Sequence, residues 1–347
     1  MVRERIQPDR IPLPWRPLAI SMVAAAFVAT ACSGSAATPS TAPVAVSRPS
    51  ITSSTTAVLP SPTTSPTTSP AALPDGRLVF ERLVGDVGSL FTMNPDGTGT
   101  KPLLPSGEGP RWSPDGSRLS IVANNRQGHL FVGLIDPDGS HYVQFASPDP
   151  TLDLGCWAWS PDGSRLACEG WDDTDLTRNG MYTVRASDGG DLVRVTRCPN
   201  SCHDIPTDYS PDGHQIVFTR QKLPDEADVT MMVVNVDGSD ARAMTDQKIG
   251  GGRWSPDGKT ILADANGSLL LVPINRSASN AIEIASNATL NPIGGSWSPD
   301  GQWIVFSGHS STGFDLYIMR TDGTNLHQVT DTHNIWEGDA DWAAAAP

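Results

Sequence analysis

Trp112-Ser113-Pro114-Asp115-Gly116, "WSPDG", returns as Trp159 to Gly163, Tyr209 to Gly213, Trp254 to Gly258 and Trp297 to Gly301, with first residues 47, 50, 45 and 43 apart. A motif repeated at such a period marks an architecture of stacked similar units. Within the motif, proline presets φ for a turn, aspartate caps it, and glycine takes a conformation costly to other residues. The aromatic residue brings a large apolar surface that packs between neighbouring units. Trp112, Trp159, Tyr209, Trp254 and Trp297 are therefore assigned to architecture, and the motif aspartates to turn chemistry rather than catalysis.

Each copy is followed by a short apolar run, "RLSIV", "RLACE", "QIVF", "TILA" or "WIVF". These runs are too short for helices and are bounded by turn residues, so each reads as a strand. A second run follows ("HLFVGLI", "MYTVRA", "TMMVVNV", "SLLLVPI", "DLYIMR"), then in most units a second Asp-Gly turn and a third strand such as "QVT". The fifth unit has "NRSASN" in place of that turn. With the strand that enters the aromatic residue, a unit holds four antiparallel strands, one blade of an all-β propeller.

The two ends of the pattern are incomplete in complementary ways. "LPDGRLVF", Leu73 to Phe80, has the turn and the strand after it but no aromatic residue before it. "WEGDADW", Trp336 to Trp342, enters like the other copies but is not followed by a turn, and Trp342 lies 45 residues after Trp297. The last strand is expected to join the first blade and rebuild the motif from both ends, pairing two open edges and closing a six-bladed β-propeller over residues 73–347.

The pattern "WSPDG…IVF…LYIMRTDG…QVT" resembles the TolB-type beta-propellers, related to the WD-repeat propellers, over nearly all of residues 73–347. The resemblance implies the fold. Function is less constrained, because such blades serve as protein-binding modules, accessory domains of peptidases and sugar-processing enzymes. Peptidase chemistry needs a Gly-x-Ser-x-Gly elbow, and "GHSSTG" has the wrong spacing. Sugar lyases of this propeller type bind a divalent metal through histidines near the channel mouth. His203, His309 and His333 map to one end of the blades and are the candidate ligands, although "CHDIP", "GHSS" and "DTHN" do not carry the lyase ligand motif.

Ahead of the repeats, Arg3, Arg5, Arg10 and Arg16 precede the apolar run "PLAISMVAAAFVATAC", which reads as an export signal. Its end, Val28-Ala29-Thr30-Ala31-Cys32, resembles the lipobox of bacterial lipoproteins, with alanine at the usual leucine position. That resemblance implies a signal over residues 1–31 and a lipid on Cys32. Residues 32–72 are dominated by Ser, Thr, Pro and Ala and carry Arg48 as their one charge, the composition of a disordered tether. The chain is expected to be exported, and either lipid-anchored outside the bacterial cell membrane or secreted.

The formal charge of −14 for the full chain becomes −16 once residues 1–31, with four arginines and two acids, are removed. Such acidity argues against nucleic acid as a ligand and limits membrane contact to the lipid anchor. The turns with Asp-Gly lie at one end of each blade, and the variable loops at the other, where function usually sits. Those loops carry Trp171, Asp172, Asp173, Asp175, Asp225, Glu226 and Trp336, the candidate binding face, with further acids at Asp204, Asp208, Asp331, Glu337, Asp339 and Asp341.

Four cysteines remain besides Cys32, an even number suited to two disulfides in an exported domain. Cys156 and Cys168 are equidistant from Asp162 at the turn and should face each other across a hairpin, leaving Cys198 to pair with Cys202. A zinc site at Cys198, Cys202 and His203 is the alternative, lacking a fourth ligand. The expected role is a monomeric, non-enzymatic scaffold that presents the acidic loops to an envelope protein or glycan, with no cofactor. A sugar-active enzyme or lectin with a divalent metal, and a ligand sensor, are the other two classes.

Overall fold

A computed structural model of the chain describes residues 73–345 except 85–86, 125–129, 199–201, 224–227, 246–247, 276–280, 287–288 and 312. Residues 1–72, with the signal, Cys32 and the tether, and Asp225 and Glu226 lie outside the described residues.

The regular secondary structure of the described residues is almost entirely strand. In chain order the strands are β1 (Arg77–Val84), β2 (Val87–Met93) and β3 (Lys101–Leu104); β4 (Glu108–Trp112), β5 (Leu119–Asn124), β6 (Leu130–Ile135) and β7 (Val143–Phe145); and β8 (Asp153–Trp159), β9 (Arg165–Trp171), β10 (Gly180–Arg185) and β11 (Val193–Arg194). They continue with β12 (Cys202–Tyr209), β13 (Gln215–Lys222), β14 (Val229–Asn235) and β15 (Arg242–Ala243); β16 (Arg253–Trp254), β17 (Thr260–Ala265), β18 (Ser268–Pro273) and β19 (Ile282–Ser286); and β20 (Ile293–Trp297), β21 (Trp303–His309), β22 (Phe314–Arg320), β23 (His327–Gln328) and β24 (Trp336–Ala343). One three-residue 3-10 turn, Leu176–Arg178, interrupts them.

Strands β4 to β19 fall into four antiparallel four-stranded sheets, each formed by consecutive strands. The remaining strands form an eight-stranded sheet that divides naturally in two, because β22 and β24 share the single parallel pair Phe314 and Trp336. One half is β20 to β23. The other places β24 antiparallel to β1, with Trp342 opposite Leu78 and Ala343 opposite Arg77, ahead of β2 and β3.

The turn chemistry expected of the pentapeptide is present atom by atom. In the first copy Ser113 Oγ donates to Asp115 Oδ1 at 2.6 Å, Gly116 N–H donates to Ser113 O at 2.8 Å, and Ser113 Oγ accepts from Arg118 N–H at 2.9 Å. The same three bonds recur around Ser160, Ser210, Ser255 and Ser298. At Pro74-Asp75-Gly76 glycine is required for a further reason. Its φ is +150°, and a Cβ there would lie 2.4 Å from Trp342 Nε1.

The core is divided into clusters, each joining one sheet to the next. Leu134 packs with Leu154 and Leu166, Ala158 with Tyr209 and Phe218, Val217 with Trp254 and Ile261, and Leu262 with Trp297 and Phe306. At the chain ends, Leu78, Phe80 and Trp342 pack against Trp303 and Val305, and Val79 and Ala343 pack against Trp112 and Leu119. Trp159 lies partly buried against the cluster of Leu134. Each motif aromatic thus fills a junction with the preceding sheet, which is why the repeat places a large flat side chain there.

Candidate functional site

The first strands of the sheets, β4, β8, β12, β16, β20 and β24, surround a cavity of about 340 Å³. Its walls are Trp112, Trp159, Tyr209, Trp254, Trp297 and Trp342, with a collar of Pro114, Pro161, Pro211, Pro256 and Pro299 at the Asp-Gly turn end. Arg111, Asp208, Arg253, Ser296 and Asp341 also line it. Each of these stands immediately before a motif aromatic, so alternation along the strand sends it inward while the aromatic packs between sheets.

Taken in the strand order β24, β4, β8, β12, β16, β20, the residue before the aromatic is Asp341, Arg111, Ala158, Asp208, Arg253 and Ser296: the pattern acid, arginine, small, twice over. The hydrogen bonds repeat with it. Trp112 N–H donates to Asp341 Oδ2 at 2.8 Å, and Trp254 N–H donates to Asp208 Oδ2 at 2.9 Å. Trp159 Nε1 donates to Arg111 O at 3.2 Å, and Trp297 Nε1 donates to Arg253 O at 3.0 Å. Asp341 also accepts from Ser296 Oγ at 2.8 Å and pairs with Arg253 at 3.4 Å. Burial, opposed by Arg253, raises the Asp208 carboxyl to about 6, and burial together with Arg253 lowers the Arg111 guanidinium to about 10.

Beyond these arginines a smaller cavity of about 60 Å³ is lined by Gly251, Gly252, Gly294, Gly295, Asp264 and Asp339. Second-strand side chains reach the next sheet here: Thr219 Oγ1 accepts from Gly251 N–H, just ahead of β16, at 2.6 Å, and Asp264 Oδ1 from Gly294 N–H in β20 at 3.1 Å. Glu81 plays the same part toward Gly109 and is 4% exposed. Burial pushes its carboxyl up to about 8, with Asp339 and Glu108 adding repulsion. A carboxyl raised in the folded state gives stability that is complete below its unfolded pKa, near 4.5, and is lost as pH rises through 8. Glu81→Gln is therefore expected to match the parent's melting temperature at pH 4.5 and to exceed it by several degrees at pH 8.5, measured by calorimetry.

The other end of the sheets carries the loops. Trp171 is half-buried beside His203, whose ring centroid lies 6.5 Å away. His203 Nδ1 is paired with Glu169. Burial alone would lower that imidazole, but the Glu169 hydrogen bond and charge, with Asp204 and Asp173, raise it overall. Asp172 is buried and accepts from Thr174, from Asp175 N–H and from Arg178, so it shapes the loop rather than facing solvent. Asp173, Asp175 and Asp331 are exposed, and Trp336 is half-buried. Asp204 is fully buried in a bidentate pair with Arg220, both bonds 2.7 Å, and Glu337 is fully buried against Arg82. The expected acidic rim is thus partly internal. Several of its acids hold neighbouring strands together, and Asp208 and Asp341 line the cavity at the first strands.

Cys156 and Cys168 face each other in the β8–β9 register and form a disulfide, and a second joins Cys198 to Cys202. Among the described residues, Cys198, Cys202 and Asp204 are the one trio whose ligand atoms lie within 4.8 Å of one another. Joined as a disulfide, the two sulfurs do not offer thiolates, and Asp204 is already held by Arg220 and Thr196 Oγ1. The trio fits a metal only in its reduced form. His309 and His333 are exposed, His309 packs edge-on to Phe314, and neither belongs to a ligand trio with His203.

The blade pattern has a counterpart among known families: the model of the TolB beta propeller domain matches residues 109–344. The chain belongs to that family. No curated protein sequence matches this TolB-family chain. Among solved structures, TolB from Acinetobacter baumannii is 20% identical with a TM-score of 0.62, covering 78% of this chain and 67% of that one. Hydrazine synthase from Kuenenia stuttgartiensis is 13% identical with a TM-score of 0.58, covering 78% and 47%. An oligogalacturonate lyase in complex with manganese is 16% identical with a TM-score of 0.50, covering 73% of each. At these identities the likeness carries the fold and nothing about activity.

Asp208 and Asp341, expected among the loop acids, line the cavity at the first strands instead, together with Arg111, Arg253 and Ser296, for which the sequence carried no expectation. The signal for them was the column of residues before each aromatic. Arg111 and Arg253 precede tryptophans where a strand alternating inward and outward would need a reason to bury a guanidinium.

Proposed function

We propose that the chain is a closed six-bladed ring acting as a non-enzymatic binding scaffold outside the cytoplasm, tethered through a lipid on Cys32 and presenting its loop end to an envelope protein or glycan. Closure draws support from the β24–β1 pairing, the clusters that fill a junction beside each of the six motif aromatics and the six first strands around one cavity. The two disulfides suit an oxidising compartment.

The observation that carries the scaffold reading is the pinned loop surface over β8 to β13. Arg178 ties the 3-10 turn to Asp149 and Asp172, Asp175 caps that turn, and the Asp204–Arg220 pair joins the adjoining strands β12 and β13. Exposed on this fixed base are Asp173, Asp175 and Leu176. A surface whose loops are ordered in advance loses little entropy on binding, the usual property of a docking face.

The test is cross-linking capture from the cell envelope with the parent and with the double variant Asp173→Lys, Leu176→Asp, which leaves the Asp175 cap in place. A partner retained by the parent should be lost by the variant while its melting temperature stays within about 2 °C, as expected of surface changes. Equal capture by both removes the scaffold reading at this face. A second reading, a metal-dependent sugar enzyme or lectin, rests on the Cys198, Cys202 and Asp204 trio. It gains if the purified chain holds a stoichiometric divalent ion that Cys198→Ser abolishes.

A further inference from the structure

The cavity of about 340 Å³ is lined by polar groups that are unevenly satisfied. The two carboxylates are well supplied with donors: Asp341 takes Trp112 N–H, Ser296 Oγ and Arg253, while Asp208 takes Trp254 N–H and Tyr209 N–H. The two guanidiniums are not. Arg111 makes a 2.8 Å bond to the adjacent Pro110 O and a 3.4 Å contact with Asp339 O, and its Nε is buried without an acceptor. Arg253 reaches Thr207 O at 3.3 Å and Asp341 at 3.4 Å, both long. A guanidinium offers five N–H donors, so most of the spare capacity in the site is for an oxygen acceptor.

Charge narrows the ligand further. Two arginines and two aspartates leave the ring of lining residues formally neutral. A ligand with net charge would be left partly uncompensated in a recessed site, whereas one carrying both signs would not. The carboxylates keep unused lone pairs after the bonds above, enough to receive an ammonium. The remaining wall is aromatic, five tryptophans and Tyr209, which suits an apolar body and attracts a cation to its faces. A volume of about 340 Å³ is at the small end of ligand pockets, roughly 300–1,000 Å³.

We propose that the axial cavity binds a free α-amino acid as its zwitterion, carboxylate between Arg111 and Arg253, ammonium toward Asp208 and Asp341, side chain against the tryptophans. The site lies among the pentapeptide turns and does not depend on the loop-face reading, which the capture experiment tests separately.

Intrinsic fluorescence and thermal melting of the purified domain are measured with each of the twenty L-amino acids at millimolar concentration. At least one, or a chemically related group, should quench the emission and raise the melting temperature. Its carboxamide and its N-acetyl derivative should each bind at least about tenfold more weakly, because each leaves charged groups of the site unpaired. Arg253→Gln should lose at least about tenfold in affinity for the free amino acid. The comparison among the three ligand forms uses the parent protein alone, so it decides the matter even if that variant does not fold. No response to any of the twenty overturns the proposal. So does equal binding of the blocked derivatives, which would indicate a peptide segment or an apolar guest, or undiminished binding by a folded Arg253→Gln.

Discussion

Removal of residues 338–347 should lower the melting temperature by at least about 10 °C or abolish cooperative unfolding, whereas removal of residues 33–70 should leave it nearly unchanged. The first deletion takes most of β24, including the buried Ala340, Asp341, Trp342 and Ala343. Trp342 alone is 6% exposed within the cluster of Leu78, Phe80 and Trp303, and truncating a buried tryptophan to alanine typically costs about 3–5 kcal/mol. The hydrogen-bonded partner of Arg77, Leu78 and Val79 goes as well, leaving β1 with an open edge. The guanidinium of Arg77, which reaches Ala344 O and Gly116 O and stacks over Trp112 at 4.5 Å, loses one of its anchors. For a chain of this size each kcal/mol moves the midpoint by roughly 2–4 °C, so the side chain of Trp342 accounts for most of the shift before the strand is counted. The deletion of residues 33–70 removes a segment expected to have no core. Equal melting of the two truncations, measured by calorimetry, would contradict the pairing of the chain's ends as the source of stability.

That pairing was legible in the sequence because its signal was an arithmetic one: a turn without an aromatic at one end, and an aromatic without a turn at the other, on the blade spacing. Strands were legible from short apolar runs between turn residues, and the Cys156–Cys168 disulfide from hairpin symmetry about Asp162. The burial of acids was not. Asp204 and Glu337 look like loop acids because their burial depends on Arg220 and Arg82, which arrive from neighbouring strands. Nothing local to "CHDIP" or "IWEGD" announces those partners. The axial site was hidden for a related reason. Arg111 and Asp208 are far apart in sequence and share a cavity only through the packing of β4 and β12 around it, although reading the repeats as aligned columns exposes the doubled acid, arginine, small pattern.

Asp341→Ala should be the most damaging single substitution in that column, lowering stability by about 3 kcal/mol, the lower part of the range for breaking a buried ion pair. The carboxylate ties three sheets: it accepts from Trp112 N–H in β4, from Ser296 Oγ in β20 and from Arg253 in β16. Alanine leaves a buried amide, a buried hydroxyl and a guanidinium without their acceptor, and each orphaned group keeps its desolvation cost. Asp341→Asn restores an acceptor for one of them and should recover about half the loss. Asp208 is related to Asp341 by the doubled pattern, but the comparison should not be symmetric. Its carboxyl is raised from 3.8 to about 6 by burial, so its contribution is complete below pH 3.8 and declines as pH passes 6. At pH 8 Asp208→Asn removes a charge that burial disfavours and still offers an oxygen to Trp254 N–H, so it should be nearly neutral where Asp341→Asn is costly. Denaturant midpoints for the three variants at pH 5 and pH 8 check this. Equal losses at both aspartates would show that the doubled pattern carries equal loads, and that Arg253 and Ser296 add nothing to the hold on Asp341.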